Sequence, residues 1–530
     1  MLRSLSIYFL CFMNLGLYAQ WPVIHNLGYQ FVIPNYLVET YDKGFISTFD
    51  YKRSNSQFSS SAIFKMDVNG NQLWKKELNN ENNYLQINGF ALAENGSLAF
   101  CGHTYKYEDV RDVYIMKLNP CMEVSWCKVF RTPGVDDVAD EMVYCPVDSS
   151  FIMTKWTDSS TETIRLMKVD SDGELIWDNL YAFNNPNFVG AFPLRLTYCQ
   201  NDNSVIFSGF VDVQIDSLYW YQPYWFKISS EGEMLWERYN VPDSLFGHGF
   251  SSREPMFPAD TVVVAPVLSY SGKSGYVKMN YLTGEFKEYN ELYQPDSTLY
   301  GTLCVSTYLN DHIYTSIQYF TTGSNGIGCS SIQKTEINGS LIGETILPVN
   351  YTAVAYDLYP TSDDKLFLTA SHLINQSDFM VIKYNENLEY DSIYTRPFNY
   401  DTLCQDAITS GTIQMNCDIV TGTIYFLISD KQVLDIYPNP TDDYCVIKLP
   451  EYLHEEKQFG LFTQTSNTSD YVKNCSLQVY DINGELVSQI AWPDHSKELL
   501  LNTSEWNSGL YIVRILKENN LIASGKILVN

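Results

Sequence analysis

Twelve cysteines, seven histidines and 62 acidic residues are the groups in this 530-residue chain that could do chemistry. Their spacing argues for structure before catalysis. Cys121 and Cys127 flank one predicted hairpin whose turn lacks a glycine, and Cys404 and Cys417 lie in a stretch with few long apolar runs. Disulfides Cys121–Cys127 and Cys404–Cys417 are the pairs expected in an oxidising compartment. Cys11 falls in the expected signal segment, so eleven cysteines remain in the mature chain and at least one is unpaired. Six residues from cysteine to cysteine is not a zinc spacing, and no histidine cluster accompanies it. The histidines at 25, 103, 248, 312, 372, 454 and 495 are scattered. There is no His-Glu-x-x-His, no Gly-x-Ser-x-Gly and no phosphate loop. His248, between Gly247 and Gly249, has open surroundings, yet an ordinary loop histidine is the favoured reading. Gly323–Gly328 is glycine-rich but sits in a predicted hairpin loop, not between strand and helix. Asp170, Asp172 and Glu174 put three carboxylates in one turn, a place for calcium, but the other oxygen ligands of a full calcium loop are missing. No catalytic, cofactor or metal residue is therefore assigned from the sequence.

The elements that would position any such group repeat along the chain. Asp67-Val-Asn-Gly-Asn-Gln-Leu-Trp74 is a turn followed by a strand that carries a large aromatic. Asn69-Gly70 supplies the positive φ angle of a tight hairpin. The unit returns as Asp170–Trp177 and Ser229–Trp236, and as Asn119–Trp126 with the glycine replaced. The four tryptophans stand 51 to 59 residues apart. Weaker copies surround Gly284, Gly339 and Asn385-Glu-Asn387. A period near 50 residues with four strands per unit predicts an all-β chain with a seven-bladed β-propeller between about Tyr36 and Asn399. One four-stranded unit cannot hide both its faces, whereas units packed around an axis bury both. The repeated tryptophans are expected to fill space between blades, not to form a ring of sugar platforms.

Composition limits the function. Aromatics make up 15% of the chain, with 40 tyrosines, and no stretch reads as a long amphipathic helix. The net charge of −28 repels phosphate backbones, so nucleic acid is not an expected partner. No segment after the N-terminus is long and apolar enough to be a transmembrane anchor. Asn280-Tyr-Leu-Thr-Gly284 resembles a turn of quinone-dependent dehydrogenase propellers, but the adjacent cysteines of those proteins are absent. The expected function is a non-catalytic binding or adhesion module. The alternative is a glycan-active hydrolase or lyase using acidic residues from several propeller loops, which a linear sequence does not bring together.

Four segments follow. Residues 1–19 read as a signal peptide: Arg3 starts it, an apolar run from Leu5 to Leu17 is too short to span a bilayer, and Ala19 precedes the cleavage point. Residues 20–400 hold the repeats, 401–433 a linker with a cysteine pair, and 434–530 about seven short strands that predict a small immunoglobulin-like β-sandwich. In that last segment Asp435-Ile-Tyr-Pro-Asn-Pro440, Val479-Tyr-Asp-Ile-Asn-Gly484, Ser508-Gly-Leu-Tyr-Ile-Val-Arg514 and Gly525-Lys-Ile-Leu-Val529 resemble the C-terminal sorting domain of type IX secretion substrates. The resemblance implies that Tyr437, Pro438, Asn439, Pro440, Gly484, Gly509, Tyr511, Gly525, Lys526 and Val529 belong to the sorting signal. It also implies passage through the periplasm, contact with the type IX machinery, and display on the cell surface or release. Pro450–Lys473, rich in serine and threonine, is an insertion into this pattern. The repeats are similar to uncharacterised propeller regions that often precede such domains.

Overall fold

The computed structural model describes residues 21–53, 59–79, 85–104, 111–131, 136–157, 163–182, 188–215, 218–239, 249–251, 255–269, 274–293, 299–321, 327–347, 353–372, 378–421, 426–428, 434–449, 475–481, 485–493, 496–517 and 520–530. The expected signal peptide, His248, most of the Gly323–Gly328 loop, the Pro450–Lys473 insertion and Gly484 lie outside these residues. Among those described there is no helix, and hence none long and apolar enough to cross a membrane.

Seven antiparallel sheets follow one another, at 31–79, 85–131, 137–182, 188–239, 249–291, 299–346 and 353–384, here called sheets 1 to 7. They pack in sequence order, and the first also packs on the seventh. Sheet 7 takes its fourth strand from the other end of the repeats: Val23–Asn26 pairs with Asp378–Tyr384, Val23 opposite Val381. The sequence reading placed the start of the first repeat later and did not foresee this exchange. It ties the two ends of the array into one sheet, which removes two free edges at once.

Several sheets are stitched to the next by a device written into the repeat. The third strand of every sheet carries a lysine two residues before its hairpin, at 65, 117, 168, 227, 278, 334 and 383. Lys168 Nζ donates to the Ser230 carbonyl of sheet 4 (2.8 Å) and to Asp148 in its own first turn (2.6 Å). Lys117 reaches the Ser171 carbonyl (2.9 Å) and Lys334 the Glu386 carbonyl (3.0 Å), again one sheet onward. In sheets 1 to 4 a tryptophan lies opposite the lysine in the outer strand: Trp74 pairs with Lys65, Trp126 with Lys117, Trp177 with Lys168 and Trp236 with Lys227. Trp177 and Trp236 donate to the carbonyls of Ser230 and Tyr281 in the following turns. Carried two residues past Val23–Val381, the register of sheet 7 sets Trp21 opposite Lys383, and Trp21 covers Gly70 of sheet 1, where an added Cβ would come within 2.9 Å of its ring. The tryptophans thus pack between sheets, as the repeat predicts.

The segment expected as a linker is a strap. Gly411–Gln414 adds a parallel fifth strand to the outer edge of sheet 1, Asp418–Thr421 to sheet 2 and Phe426–Ile428 to sheet 3. Trp74 Nε1 donates to Asp401 Oδ2 (2.9 Å), and Val68 N to the Tyr400 hydroxyl (3.0 Å), fixing the start of the strap on sheet 1. The four predicted cysteines are disulfide-bonded, but with other partners: Cys121 pairs with Cys404 and Cys127 with Cys417. The expected pairs Cys121–Cys127 and Cys404–Cys417 are thereby corrected. The reason is geometric. Cys121 sits in the turn, while Cys127 lies three residues beyond Val124 in the outer strand, opposite Met116. That is roughly 10 Å along a strand, past the reach of a disulfide. The turn also needs no covalent help, since Met122 adopts the positive φ (63°) that glycine takes elsewhere. Cys101, Cys145, Cys199 and Cys445 are buried free thiols.

Beyond the strap, a three-stranded sheet (Asp435–Tyr437, Tyr444–Lys448, Glu498–Asn502) and a four-stranded sheet (Cys475–Tyr480, Leu486–Ala491, Gly509–Lys517, Asn520–Val529) form the expected sandwich. Leu434, Ile447, Leu477, Trp492, Val513 and Ile527 are among its core residues.

Candidate functional site: the central cavity and the sorting segment

The first strands of the sheets surround a cavity of about 800 Å3. Every one of the seven contributes residues to its wall. These strands share an irregularity: the antiparallel register slips in all seven, between Pro34 and Tyr36, Ile87 and Gly89, Ala139 and Met142, Pro193 and Arg195, Met256 and Ala259, Leu303 and Val305, and Ala355 and Asp357. A bulge bends the strand and re-aims side chains that alternation would otherwise send into the sheet-to-sheet core. Past the bulge, Tyr36, Gly89, Arg195 and Asp357 face the small residues Thr48, Cys101, Ser208 and Thr369 of the second strands. In sheet 3 the bulge takes in both Asp140 and Glu141, and Glu141 N donates to Thr154 Oγ1 (3.0 Å).

These positions bring together residues far apart in sequence. Arg195 forms an ion pair with Glu141 and donates to the Tyr36 hydroxyl (2.9 Å), which donates to Glu141 Oε1 (2.8 Å). The guanidinium carbon lies 4.7 Å from the centre of the Tyr36 ring, within cation–π range. Burial, and next the Glu141 carboxylate, push the Tyr36 hydroxyl well above its usual pKa. It therefore stays a proton donor. Asp357 accepts the Leu37 amide (2.8 Å) with one oxygen and the Leu358 amide (2.9 Å) with the other, bridging sheets 7 and 1. Asn88 Nδ2 is within hydrogen-bond distance of His103 Nδ1 (3.2 Å), the Ala139 carbonyl (3.0 Å) and Asp140 Oδ1 (3.3 Å). Burial, with the Arg111 charge second, pushes His103 down to about 4, so it is neutral at physiological pH. Burial pushes Asp140 up to about 6, and Asp50 also up to about 6. The sequence reading singled out none of these. The signal was present as polar pairs, Asn35-Tyr36, Asn88-Gly89 and Asp140-Glu141, interrupting apolar strands a few residues before a turn.

The residues that were singled out lie elsewhere. Asp170 Oδ1 accepts the amides of Asp172 (2.9 Å) and Glu174 (2.8 Å) within its own turn, and Glu174 pairs with Lys128 of sheet 2. Among the described residues no group of three or more His, Cys, Asp or Glu is placed to hold a metal ion.

The C-terminal motifs, separated by more than 80 residues, meet in the sandwich. Asn439 Nδ2 donates to the Lys526 carbonyl (2.7 Å), and Leu528 N donates to Asn439 Oδ1 (2.8 Å). The side-chain amide thus completes the edge of the last strand as a peptide group would, at a place where Pro438 and Pro440 could not donate. Thr441 N donates to the Leu528 carbonyl (2.8 Å), and Asn530 N to the Thr441 carbonyl (3.0 Å). Gly525 passes over Ile436, whose Cδ1 would be 2.8 Å from an added Cβ. Val529 is buried, Tyr437 is exposed with its hydroxyl toward Glu498 (3.2 Å), and Tyr511 donates to the Asn507 carbonyl (2.8 Å) beside Trp506. Gly509 begins the strand that pairs with this last one, opposite Val529.

Comparison with known proteins adds the following. Residues 435–530 match the family model described as a secretion system C-terminal sorting domain. No curated protein matches the chain. Among solved structures, prolyl oligopeptidase B from Galerina marginata is similar at 9% identity and a TM-score of 0.44, over 80% of this chain and 56% of that one. The chain thus spans little more than half the length of that protein. Extracellular domains 1–2 of Drosophila semaphorin 1b are similar at 11% identity and a TM-score of 0.41, over 69% of this chain and 86% of that one. The chain therefore ends in a secretion-system sorting domain of the type IX kind, which directs it to the cell surface or exterior.

Proposed function

We propose that the protein is an exported binding module, a closed seven-bladed propeller that receives its ligand at the central cavity and does no chemistry on it. The observation that carries this reading is the Tyr36–Glu141–Arg195 cluster. The carboxylate and the guanidinium that the inner strands send to the axis are satisfied by each other and by one tyrosine, drawn from sheets 1, 3 and 4. Asp357 likewise spends both oxygens on backbone amides. Such groups lock the register of neighbouring sheets and give the cavity a fixed shape. The test is a binding screen of the purified secreted protein against glycans and proteins, run together with assays for hydrolysis of the same compounds. Saturable binding without turnover supports the reading, and turnover by the wild type overturns it.

One observation favours a hydrolase as the second reading. Asp140 and Asp50, with carboxyls pushed up to about 6 by burial, would hold a proton near neutrality as a general acid must. Turnover of a glycan that is lost in Asp140→Asn or Asp50→Asn would establish it.

A further inference from the structure

Three of the cavity's tyrosines are held in the same way. Tyr144, Tyr198 and Tyr308 each pair with the second residue of the second strand in their sheets, Phe151, Val205 and Ile313. The hydroxyl of each is tied back to the turn that follows. Tyr144 donates to Ser149 Oγ (3.3 Å), Tyr198 to Asn203 Oδ1 (2.8 Å) and Tyr308 to Asp311 Oδ1 (2.9 Å). Ser149, Asn203 and Asp311 are all at positive φ, so in all three sheets the tether ends on a left-handed turn residue. Phe257 of sheet 5 and Tyr359 of sheet 7 extend the row, and all five rings line the cavity while remaining half-buried. With the three hydroxyls engaged, these tyrosines present ring faces fixed in orientation. That arrangement suits stacking and costs little entropy on binding.

Charge narrows what would stack there. On the same side of the ring, the acids of the first turns are matched by the repeated lysines: Asp42 by Lys65 (2.8 Å), Asp148 by Lys168 (2.6 Å), Asp202 by Lys227 (2.6 Å) and Asp363 by Lys383 (3.2 Å). Inside the cavity Glu141 is matched by Arg195. Asp260 and Asp357 also line the cavity, the first within 3.4 Å of Asn201 and the second accepting two backbone amides, so the lining keeps a small acidic excess and draws no anion by charge. The polar groups between the rings, Thr197, Gln200, Asn201, Ser306 and Thr307, are neutral donors and acceptors. A cavity of about 800 Å3 is at the upper end of small-ligand sites, which span roughly 300–1,000 Å3. The geometry points to a neutral oligosaccharide, its apolar C–H faces stacked on Tyr144, Tyr198 and Tyr308 and its hydroxyls on the neutral side chains between them. The inference rests on the binding-module reading above and names its ligand class.

The experiment is calorimetric titration of the full secreted protein with neutral hexose and pentose oligosaccharides of four to six units. Matched oligogalacturonate and deacetylated glucosamine oligomers serve as anionic and cationic probes. At least one neutral series is expected to bind. Tyr198→Ala and Tyr308→Ala should weaken it about tenfold each, the loss of one stacking contact. Tyr308→Phe, which keeps the ring and loses only the tether, should stay within about threefold. Thermal unfolding of each variant reports folding separately, and Tyr308→Phe keeps the test decisive if an alanine variant fails to fold. Absence of binding by any neutral series overturns the inference, as does binding confined to a charged probe or unchanged in both folded alanine variants. Binding of a protein in the wider screen, with no saccharide bound, would overturn the ligand class while leaving the binding-module reading standing. Release of reducing ends during titration would overturn that reading instead.

Discussion

Trp126 of sheet 2 lies flat on Gly173 of sheet 3: a Cβ on the glycine would stand 2.8 Å from the ring, and the indole Nε1 donates to the carbonyl of Ser171, two residues earlier (2.8 Å). The glycine and the tryptophan of the repeat are therefore partners across a boundary, not within one hairpin. Gly173 is constrained twice, by its left-handed φ (80°) and by the ring above it.

Gly173→Ala should consequently cost more than a turn glycine in open space. A left-handed residue with a side chain costs roughly 1–2 kcal/mol, and displacing a packed ring about 1–3 kcal/mol more. Gly28→Ala provides the comparison, because it shares a positive φ (76°) and has nothing within 4 Å of its added Cβ. Urea midpoints of the two variants decide the matter. Equal losses would mean that the ring contact contributes nothing.

The strap yields a second prediction. Peptide mapping of the oxidised protein should recover Cys121–Cys404 and Cys127–Cys417, with no peptide joining Cys121 to Cys127. Each bridge closes a loop of more than 280 residues, for which chain entropy allows up to about 5 kcal/mol. Cys404→Ser with Cys417→Ser should lower thermal stability. It should also expose 401–421 to limited proteolysis before sheets 4 to 7 are cut. Unchanged cleavage in that double variant would show that the parallel strand pairing alone holds the strap.

What could be read from the sequence divides along physical lines. The hairpin glycines, the tryptophans and the strand count are local features with a period, and the all-β propeller-like fold follows from them. The strap was misread because its strands are only three or four residues long and pair with edges far away in sequence, as Gly411 does with Lys76. Nothing local marks such a partner. Tyr36, Glu141 and Arg195 stayed hidden for a related reason. Their direction depends on a one-residue slip in register, and strict alternation assigns them to the wrong face. The sorting motifs were legible as motifs, but that Asn439 works as a substitute peptide group for Lys526 and Leu528 required coordinates.

Asp140 gives a pH-dependent prediction. Its folded pKa of about 6 is above the unfolded value, so between about pH 4 and 6 the native state holds a proton that the unfolded state has lost. Stability from this group is present below that window and falls as pH rises through it. Asp140→Asn should therefore stabilise the protein at pH 7.5, by about 1–2 kcal/mol for a half-buried carboxyl, and by close to nothing at pH 4. A stabilisation equal at both pH values would show that the carboxylate pays no desolvation cost.

The last strand should be required for export. Gly525–Val529 alternates buried and exposed side chains along the sandwich edge, and Asn439 and Thr441 grip its backbone from the Tyr-Pro-Asn-Pro segment. Deleting 525–530 removes Ile527 and Val529 from the core and leaves the strand Gly509–Lys517 with a partly unpaired edge. Among the described residues, the sheets upstream share no core cluster with these residues and should stay folded. The truncated protein should thus be soluble and accumulate in the periplasm, seen by fractionation with an antibody to the propeller. A strand that only stabilises the sandwich would give the same loss, so a second variant is needed. Lys526→Glu alters an exposed side chain while the Lys526 carbonyl keeps its bond to Asn439. Export reduced in Lys526→Glu, with the sandwich still folded, places the surface of this strand in the signal that the machinery reads. Normal amounts of the 525–530 deletion at the cell surface or in the medium would remove the strand from the sorting signal altogether.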